Sequence, residues 1–159
     1  MVVLVDVHNA TRQMPEANVK TVIILRGLAG SGKSSVAKLL ADLIHNTGTD
    51  AETMSWVICS ADHWFMRDGE YRLDLSQLGT AHGACQLKFK SAIKDGVELV
   101  IVDNTSVMER DFLDYKEEAE RAGYRVMCLI VENRHGGVSE HDVPDYVIQR
   151  GRQNFQVKL

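Results

Sequence analysis

Residues 27–34 read Gly-Leu-Ala-Gly-Ser-Gly-Lys-Ser and match the complete pattern G-x-x-x-x-G-K-[ST]. An apolar run at 21–25 (TVIIL) precedes this octapeptide, and a stretch with helical periodicity follows it. Glycines let such a loop wrap closely around an anion, so that successive backbone N–H groups point at phosphate oxygens. The N-terminus of the following helix adds partial positive charge. The octapeptide therefore predicts a loop that binds the phosphates of a nucleotide.

Two side chains of this phosphate loop have chemistry that a plain turn would not need. The Lys33 ammonium can reach the β- and γ-phosphates, and the Ser34 hydroxyl can ligate Mg²⁺. A glycine turn between a strand and a helix would explain Gly27 or Gly32, but not the pair Lys33-Ser34. We therefore predict ATP and Mg²⁺ as cofactors. The predicted nucleotide contacts are Leu28, Ala29, Gly30, Ser31, Gly32, Lys33, Ser34 and Ser35.

Composition restricts the classes of protein to which the chain can belong. Its 159 residues are 45% hydrophobic and 25% charged, as expected for one globular domain with a proper core. The net charge of −4 argues against a strongly basic nucleic-acid face, although a local basic channel is compatible with it. No run is long enough for a membrane span, and no signal peptide is expected. The three cysteines are isolated, which favours buried free thiols in the cytoplasm.

Apolar strands alternate with helical segments along the chain. Strands are predicted at 21–26, 55–60, 97–102 and 124–131. Helices are predicted at about 32–46, 76–94, 109–122 and 144–155. The alternation predicts an α/β fold in which a mostly parallel sheet is flanked by helices, with one domain over 19–159. Residues 1–18, a short strand and a connector, fit an added edge strand, a homodimer contact or a loose arm.

The helices carry two finer predictions. On the first helix, an apolar stripe with i, i+3, i+4 spacing is predicted to face the core. Ser76 is predicted to cap the second helix. The members of the stripe are Val36, Leu39, Leu40, Leu43 and Ile44.

Two aspartates follow predicted strands, at the edge of a parallel sheet where ligands bind. Asp103 follows a nearly pure apolar strand, which favours support of Mg²⁺ beside the phosphate loop; capping of the next turn is the alternative. Asn104 and Thr105 can hydrogen-bond the metal's waters or the γ-phosphate. Asp62 lies one strand from the loop, where a carboxylate can accept the proton of an acceptor hydroxyl. A turn or N-cap aspartate is again the alternative.

Basic and aromatic residues supply further candidates. Arg134 and Arg150 lie beyond the fourth strand, where an arginine can bridge oxygens of the transferred phosphoryl group. Arg150 and Arg152 lie on opposite sides of a helix, so both cannot face the nucleotide equally. Between 63 and 75, Arg67 and Arg72 can bind an acidic acceptor. Trp64 can stack on a base, with lid or core packing as the alternative. The histidines, His82 among them, have no spacing that builds a zinc site.

Five segments in order resemble the P-loop kinase family typified by polynucleotide kinases. They are ILRGLAGSGKSS (24–35), SADHWF (60–65), AHGAC (81–85), VDNT (102–105) and VPDYVIQR (143–150). The resemblance covers about 21–156. It implies a P-loop NTPase three-layer sandwich and ATP-dependent phosphorylation of a hydroxyl, with Asp62 activating the acceptor and a lid arginine completing the site. Phage enzymes that phosphorylate hydroxymethyluracil in DNA are similar in size and layout, which would imply the host cytoplasm.

We therefore predict a kinase that transfers the γ-phosphate of ATP to a hydroxyl on DNA or a nucleotide. The acceptor is predicted to be a 5′-hydroxyl or a hydroxymethylated pyrimidine. A small-molecule kinase, acting on a nucleoside or an antibiotic, is one alternative. A nucleotide-binding module that regulates a partner without chemistry is the other.

Overall fold

The element order alternates strands and helices. A computed structural model describes residues 2–4, 19–46, 54–134 and 143–157. The strands are β1 (Val2–Leu4), β2 (Thr21–Arg26), β3 (Trp56–Cys59), β4 (Met66–Arg67), β5 (Glu70–Tyr71), β6 (Leu99–Asp103) and β7 (Arg125–Val131). The α-helices are α1 (Lys33–Asn46), α2 (Leu78–Asp95), α3 (Leu113–Arg121) and α4 (Asp145–Asn154). Short 3-10 helices lie at Ala61–Phe65, Leu75–Gln77 and Glu109–Asp111.

Strand β2 is the centre of the main sheet. The strand order is β1-β7-β2-β6-β3, and β7, β2, β6 and β3 are parallel. In register, Ile23 lies between Ile101 of β6 and Met127 of β7. β1 pairs antiparallel with β7 and so adds an edge strand, one of the roles predicted for the N-terminal residues. The connector at 9–18 lies outside the described residues, and one domain over 19–159 stays a prediction.

Helices cover both faces of the sheet, because β2 alternates its side chains between two cores. Val22 and Ile24 face a core that contains Phe89 of α2 and Tyr115 of α3. Ile23 and Leu25 face a second core with Ala37 of α1. The predicted α/β sandwich of the P-loop NTPase type is therefore confirmed. Within the described ranges, no helix combines the length and apolar character needed to cross a membrane.

The predicted buried stripe of α1 is wrong at two of its positions. Leu39 is 58% exposed and Leu43 is 51% exposed. The buried row is Ala37 and Ala41, one turn apart, whose small side chains let the helix backbone approach the sheet closely. The partly buried members of the stripe are Val36 and Leu40. The side chain of Ile44 lies outside those that the structure describes.

The segment before α2 also differs from the prediction. The Asp74 carboxylate, rather than Ser76, is the cap: it accepts hydrogen bonds from the Ser76 amide at 2.9 Å and hydroxyl at 2.6 Å. This cap starts the 3-10 helix Leu75–Gln77, and α2 begins only at Leu78. The helix predicted from 109 likewise begins as a 3-10 helix, with α3 starting at Leu113.

Gly27, directly after β2, is a position where no side chain fits. A Cβ there would lie 2.4 Å from the Val131 carbonyl oxygen and 2.6 Å from Ser31 Oγ. The first of these atoms belongs to the backbone of β7 and cannot move independently of the sheet. We expect Gly27→Ala to lower the free energy of unfolding by about 1–3 kcal/mol, the usual effect of overpacking, measured by urea denaturation.

Gly83→Ala provides the matched control. Gly83 is exposed in the interior of α2, and nothing lies within 4 Å of the added Cβ. The substitution should raise the free energy of unfolding by about 0.5–1 kcal/mol, because glycine weakens a helix interior. Equal effects of the two substitutions would contradict the close approach at Gly27.

Candidate active site

The carboxyl ends of the parallel strands open into one cleft of about 1030 Å³. The strand order sets the sequence of residues along this edge: Glu132 after β7, the phosphate loop after β2, Asp103 ending β6 and Asp62 after β3. All four lie on the cleft wall. Glu132 was not among the predicted site residues. The predicted site residues on this wall are Asp62, Asp103, Asn104, Thr105, Arg150 and the loop residues Leu28, Ala29, Gly30, Ser31, Gly32, Lys33, Ser34 and Ser35.

The phosphate loop is fully formed between β2 and α1. Gly30 and Gly32 adopt φ of 76° and 90°, a region that favours glycine. The Lys33 ammonium donates to the Leu28 carbonyl oxygen at 2.8 Å, so it crosses its own loop. Burial lowers the pKa of Lys33, and the carboxylates of Asp103 and Asp62 act in the opposite direction. The loop therefore presents a buried cation, next to the start of α1, to any anion that enters.

Ser34 and Asp103 meet where the sequence predicts Mg²⁺. The Ser34 hydroxyl hydrogen-bonds the Asp103 carboxylate, and burial raises the pKa of Asp103 while this bond and Lys33 oppose the rise. Hydroxyl and carboxylate oxygens suit Mg²⁺, which takes few protein ligands and shares the rest of its shell with water and phosphate. In the part of the chain that is described, no cluster of three or more His, Cys, Asp or Glu residues forms a self-contained metal site. The residues at this position fit Mg²⁺ bound together with a nucleotide.

Asp62 is held from two sides. Its backbone N–H donates to Ser60 Oγ at 3.3 Å, and its Oδ1 accepts the Tyr71 hydroxyl at 3.0 Å. Tyr71 ends the β4–β5 hairpin and makes an edge-to-face contact with Phe65, with ring centroids 6.0 Å apart. The Arg72 amide joins the end of the hairpin to the Phe65 carbonyl at 2.9 Å. The hairpin therefore fixes where the Asp62 carboxylate lies.

The β4–β5 hairpin was not predicted from the sequence. Asp68 and Gly69 adopt φ of 53° and 83°, the left-handed pair that a tight two-residue hairpin requires. An Asp-Gly pair between short strands is the sequence signal that could have identified it.

Asn104 and Thr105 line the cleft, and their predicted hydrogen bonds to the metal's waters or the γ-phosphate stay predictions. The Asn104 side chain also joins separate elements of the site. Its Oδ1 accepts the Ala61 amide at 3.0 Å, and its Nδ2 donates to Cys85 Sγ at 3.4 Å. The side chain is buried, and these bonds join β6 to α2 and to the segment that carries Asp62. The carbonyl of Thr105 accepts the Gly27 amide at 2.9 Å, which anchors the start of the phosphate loop. Cys59 and Cys85 are buried free thiols, as predicted, whereas the free thiol Cys128 is only partly buried.

Of the three arginines considered after β7, only Arg150 lines the cleft. It lies on α4 beside Gly151, opposite the phosphate loop residue Leu28. Arg134 is largely exposed and pairs with Glu132. Arg152 is exposed and off the wall, in agreement with the expectation that Arg150 and Arg152 cannot both face the nucleotide. The catalytic roles of Arg134 and Arg150 stay predictions.

The predicted acceptor-binding side chains Trp64, Arg67 and Arg72 lie off the cleft wall. The Trp64 indole donates to Gln77 Oε1 at 3.0 Å, and Arg72 forms an exposed ion pair with Glu70 at 2.8 Å. Their contribution to substrate binding stays a prediction. The side chains that do line this part of the cleft are Phe65, Tyr71, Leu73, Leu75, Leu78 and His82.

Arg26, at the end of β2, was not predicted as part of the site. It is 6% exposed, and its guanidinium donates to three backbone carbonyls: Ser106 at 2.9 Å, Val107 at 3.1 Å and Gln156 at 2.7 Å. It also lies over the rings of Phe112 and Phe155, at 4.4 and 5.1 Å. Burial lowers its pKa from the usual value. This cation therefore joins the entry to the phosphate loop, the loop after β6 and the segment that follows α4.

Comparison with known proteins agrees with this geometry. A family model described as an AAA domain matches residues 22–157. The chain belongs to this AAA domain family. NEDD4-binding protein 2 from Homo sapiens is 32% identical over 106 residues, which is 67% of this chain but 6% of that protein. The AAA domain chain thus spans only a small part of this curated relative's length.

Two solved structures resemble the AAA domain chain in fold. Kti12 from Chaetomium thermophilum, in complex with ADP-AlF3, has a TM-score of 0.61 at 15% identity, over 86% of this chain and 80% of that one. A chain of the Pnkp1/Rnl/Hen1 complex has a TM-score of 0.53 at 17% identity, over 92% of this chain and 43% of that one. At these identities the likeness establishes the fold alone. The AAA domain chain has a P-loop NTPase-like fold.

Lys33 generates a prediction about nucleotide affinity. Lys33→Met should weaken ADP binding about 10–100-fold, the effect of losing a charge-assisted hydrogen bond, as measured by calorimetry. Lys38→Met, which changes an exposed lysine of the same helix, is the control and should bind normally. Unchanged affinity of Lys33→Met would contradict the role of the loop.

The affinity should also depend on pH. The protonated ammonium binds phosphate, so ADP affinity should fall as pH rises through the pKa of Lys33. Because burial places this pKa below its ordinary value of 10.5, the fall should begin below pH 10.5. Lys33→Met should lack this pH dependence, whereas Lys38→Met should retain it.

Proposed function

We propose that this AAA domain chain is an ATP- and Mg²⁺-dependent kinase that phosphorylates a hydroxyl on DNA or a nucleotide. A 5′-hydroxyl and a hydroxymethylated pyrimidine, such as 5-hydroxymethyluracil in DNA, are the proposed acceptors. The observation that carries the proposal is that Asp62, held by Tyr71, lines the same cleft as the phosphate loop. A carboxylate beside the γ-phosphate is where an acceptor hydroxyl would need a base.

In the proposed reaction, the acceptor oxygen forms a bond to the γ-phosphorus. The bond from this phosphorus to the oxygen bridging the β- and γ-phosphates breaks, and ADP leaves. The hydroxyl proton passes to the Asp62 carboxylate. Lys33 and the loop amides stabilise negative charge on the phosphates. Ser34 and Asp103 would hold Mg²⁺, which neutralises phosphate charge when bound.

The position of Arg150 and the structure of Kti12, which is similar in fold, provide further support. Arg150 is the arginine that lines the cleft from α4, so it is the better candidate than Arg134 for stabilising the transferred phosphoryl group. Kti12 was solved in complex with ADP-AlF3, and its likeness in fold is consistent with a nucleotide in this cleft.

A small-molecule kinase is the second candidate function. This function is favoured because Arg67 and Arg72, the basic residues predicted to bind an acidic acceptor, do not line the cleft. A purely regulatory nucleotide-binding module is disfavoured, because such a protein has no use for a carboxylate held beside the phosphate loop.

Asp62→Asn tests the proposed base. We expect transfer of labelled γ-phosphate from ATP to 5′-hydroxyl DNA, hydroxymethyluracil DNA or nucleosides to fall about 10²–10⁴-fold, because the amide cannot accept the proton. ADP affinity should not fall, because the substitution removes a negative charge near the phosphate loop. Asp42→Asn, on the exposed side of α1, is the matched control and should retain full activity. A kinase whose transfer survives Asp62→Asn would not use this base.

Tyr71→Phe tests whether the hairpin positions that base. Burial and the charge of Asp62 raise the pKa of Tyr71, so its hydroxyl stays protonated and donates to the carboxylate. Losing this donor leaves the carboxylate less firmly positioned, so γ-phosphate transfer should fall about tenfold while ADP affinity stays unchanged. Tyr146→Phe, an exposed tyrosine of α4, is the control and should retain full activity. Unchanged transfer by Tyr71→Phe would mean that the hydrogen bond does not position the base.

A further inference from the structure

The cleft has a wall beside Asp62 that the phosphate chemistry does not use. We call it the acceptor wall, and it consists of Phe65, Tyr71, Leu73, Leu75, Leu78 and His82. Leu75 is 50% exposed and Leu78 is 38% exposed, although both are large apolar residues. Exposed apolar side chains gathered at a concave site are typical of a ligand-binding surface.

The strand order determines which substrate this wall can contact. β3 and β7 lie on opposite sides of β2, so Asp62 and Glu132 lie towards opposite ends of the cleft. The acceptor wall continues from Asp62, whereas Gly151 of α4 lies against Leu28 of the phosphate loop and Val107 of the loop after β6. ATP bound in the phosphate loop can therefore extend towards α4, which leaves the acceptor wall for the second substrate.

The charge of the acceptor wall is unfavourable for a phosphate. Its ionisable side chains are Tyr71 and His82, and the adjacent carboxylate of Asp62 would repel an anion. The nearby guanidinium of Arg72 pairs with Glu70 off the wall, and Arg67 is also off the wall. No lysine or arginine is therefore among the described residues that line this end of the cleft.

We infer that the acceptor is recognised through an uncharged planar group, of the size of a nucleobase, that packs on the acceptor wall and brings its hydroxyl to Asp62. This inference rests on the proposed kinase function and specifies its substrate class. Leu78 and His82 lie one turn apart on α2, so an apolar side chain and an imidazole can both contact this planar group of the acceptor. The partly exposed ring of Tyr71 supplies the aromatic side of the wall, and the buried ring of Phe65 supports it from behind in an edge-to-face contact.

The test compares matched acceptors that differ by one phosphate. Labelled ATP is supplied with nucleosides and with the corresponding nucleoside 3′-monophosphates, at low and high NaCl. We expect both to be phosphorylated, with KM values within about threefold and without salt dependence. A phosphate contact would instead give the 3′-monophosphate a lower KM than the nucleoside, with an advantage that shrinks as NaCl screens the charge. Turnover only of the 3′-monophosphates, or such a salt-sensitive advantage, would overturn the inference.

Substitutions in the acceptor wall provide a second test of the inference. Leu75→Ser and Leu78→Ser change exposed side chains, so folding should survive, and each should raise the acceptor KM about tenfold without changing ADP affinity. Leu87→Ser, on α2 but off the cleft and 70% exposed, is the matched control. Unchanged KM in both wall variants would overturn the inference.

The outcomes separate this inference from the proposed function. Phosphorylation of 5′-hydroxyl or hydroxymethyluracil DNA without phosphorylation of any nucleoside would overturn the inference and leave the kinase proposal standing. No transfer to any of these acceptors, despite ADP binding, would overturn both.

Discussion

The buried guanidinium of Arg26 is the interaction on which the shape of the site depends. A cation removed from water is unfavourable unless its donors are satisfied, and here three carbonyls accept hydrogen bonds from it while aromatic rings cover it. Those carbonyls belong to the loop after β6 and to Gln156, beyond α4. The phosphate loop, which starts at the next residue, therefore cannot shift without disturbing both. This joins the central strand to the helix that carries Arg150.

The Lys33 side chain is held by the same loop whose charge it supplies. Its ammonium crosses to the Leu28 carbonyl, with Asp103 and Asp62 close enough to stabilise its protonated form. An incoming phosphate would exchange one oxygen acceptor for another, so the lysine would need little rearrangement. The carboxylates of Asp103 and Asp62 partly balance the positive charge of Lys33, in addition to the separate role proposed for each.

The sheet and the phosphate loop could be predicted because their signals are local. Buried parallel strands are continuous apolar runs, and the spacing of Gly32 and Lys33 fixes a known loop chemistry. The contacts that complete the site join residues distant in the chain, so periodicity does not reveal them. On α1, the leucines and the alanines both recur with helical spacing. Close packing of the helix against the sheet buries Ala37 and leaves Leu39 exposed. The sequence does not distinguish Arg26 from any other charged residue at the end of a strand, because its partner Gln156 is 130 residues away.

The acceptor wall comes from one contiguous stretch, 65–82, whereas the nucleotide end of the cleft is assembled from segments more than a hundred residues apart. Under the proposed function, this separation has an evolutionary consequence. A mutation or recombination confined to that stretch could alter the choice of acceptor while leaving the ATP site and its long-range ties untouched. If the chain acts as proposed, acceptor specificity can therefore diversify through changes in one short stretch of sequence.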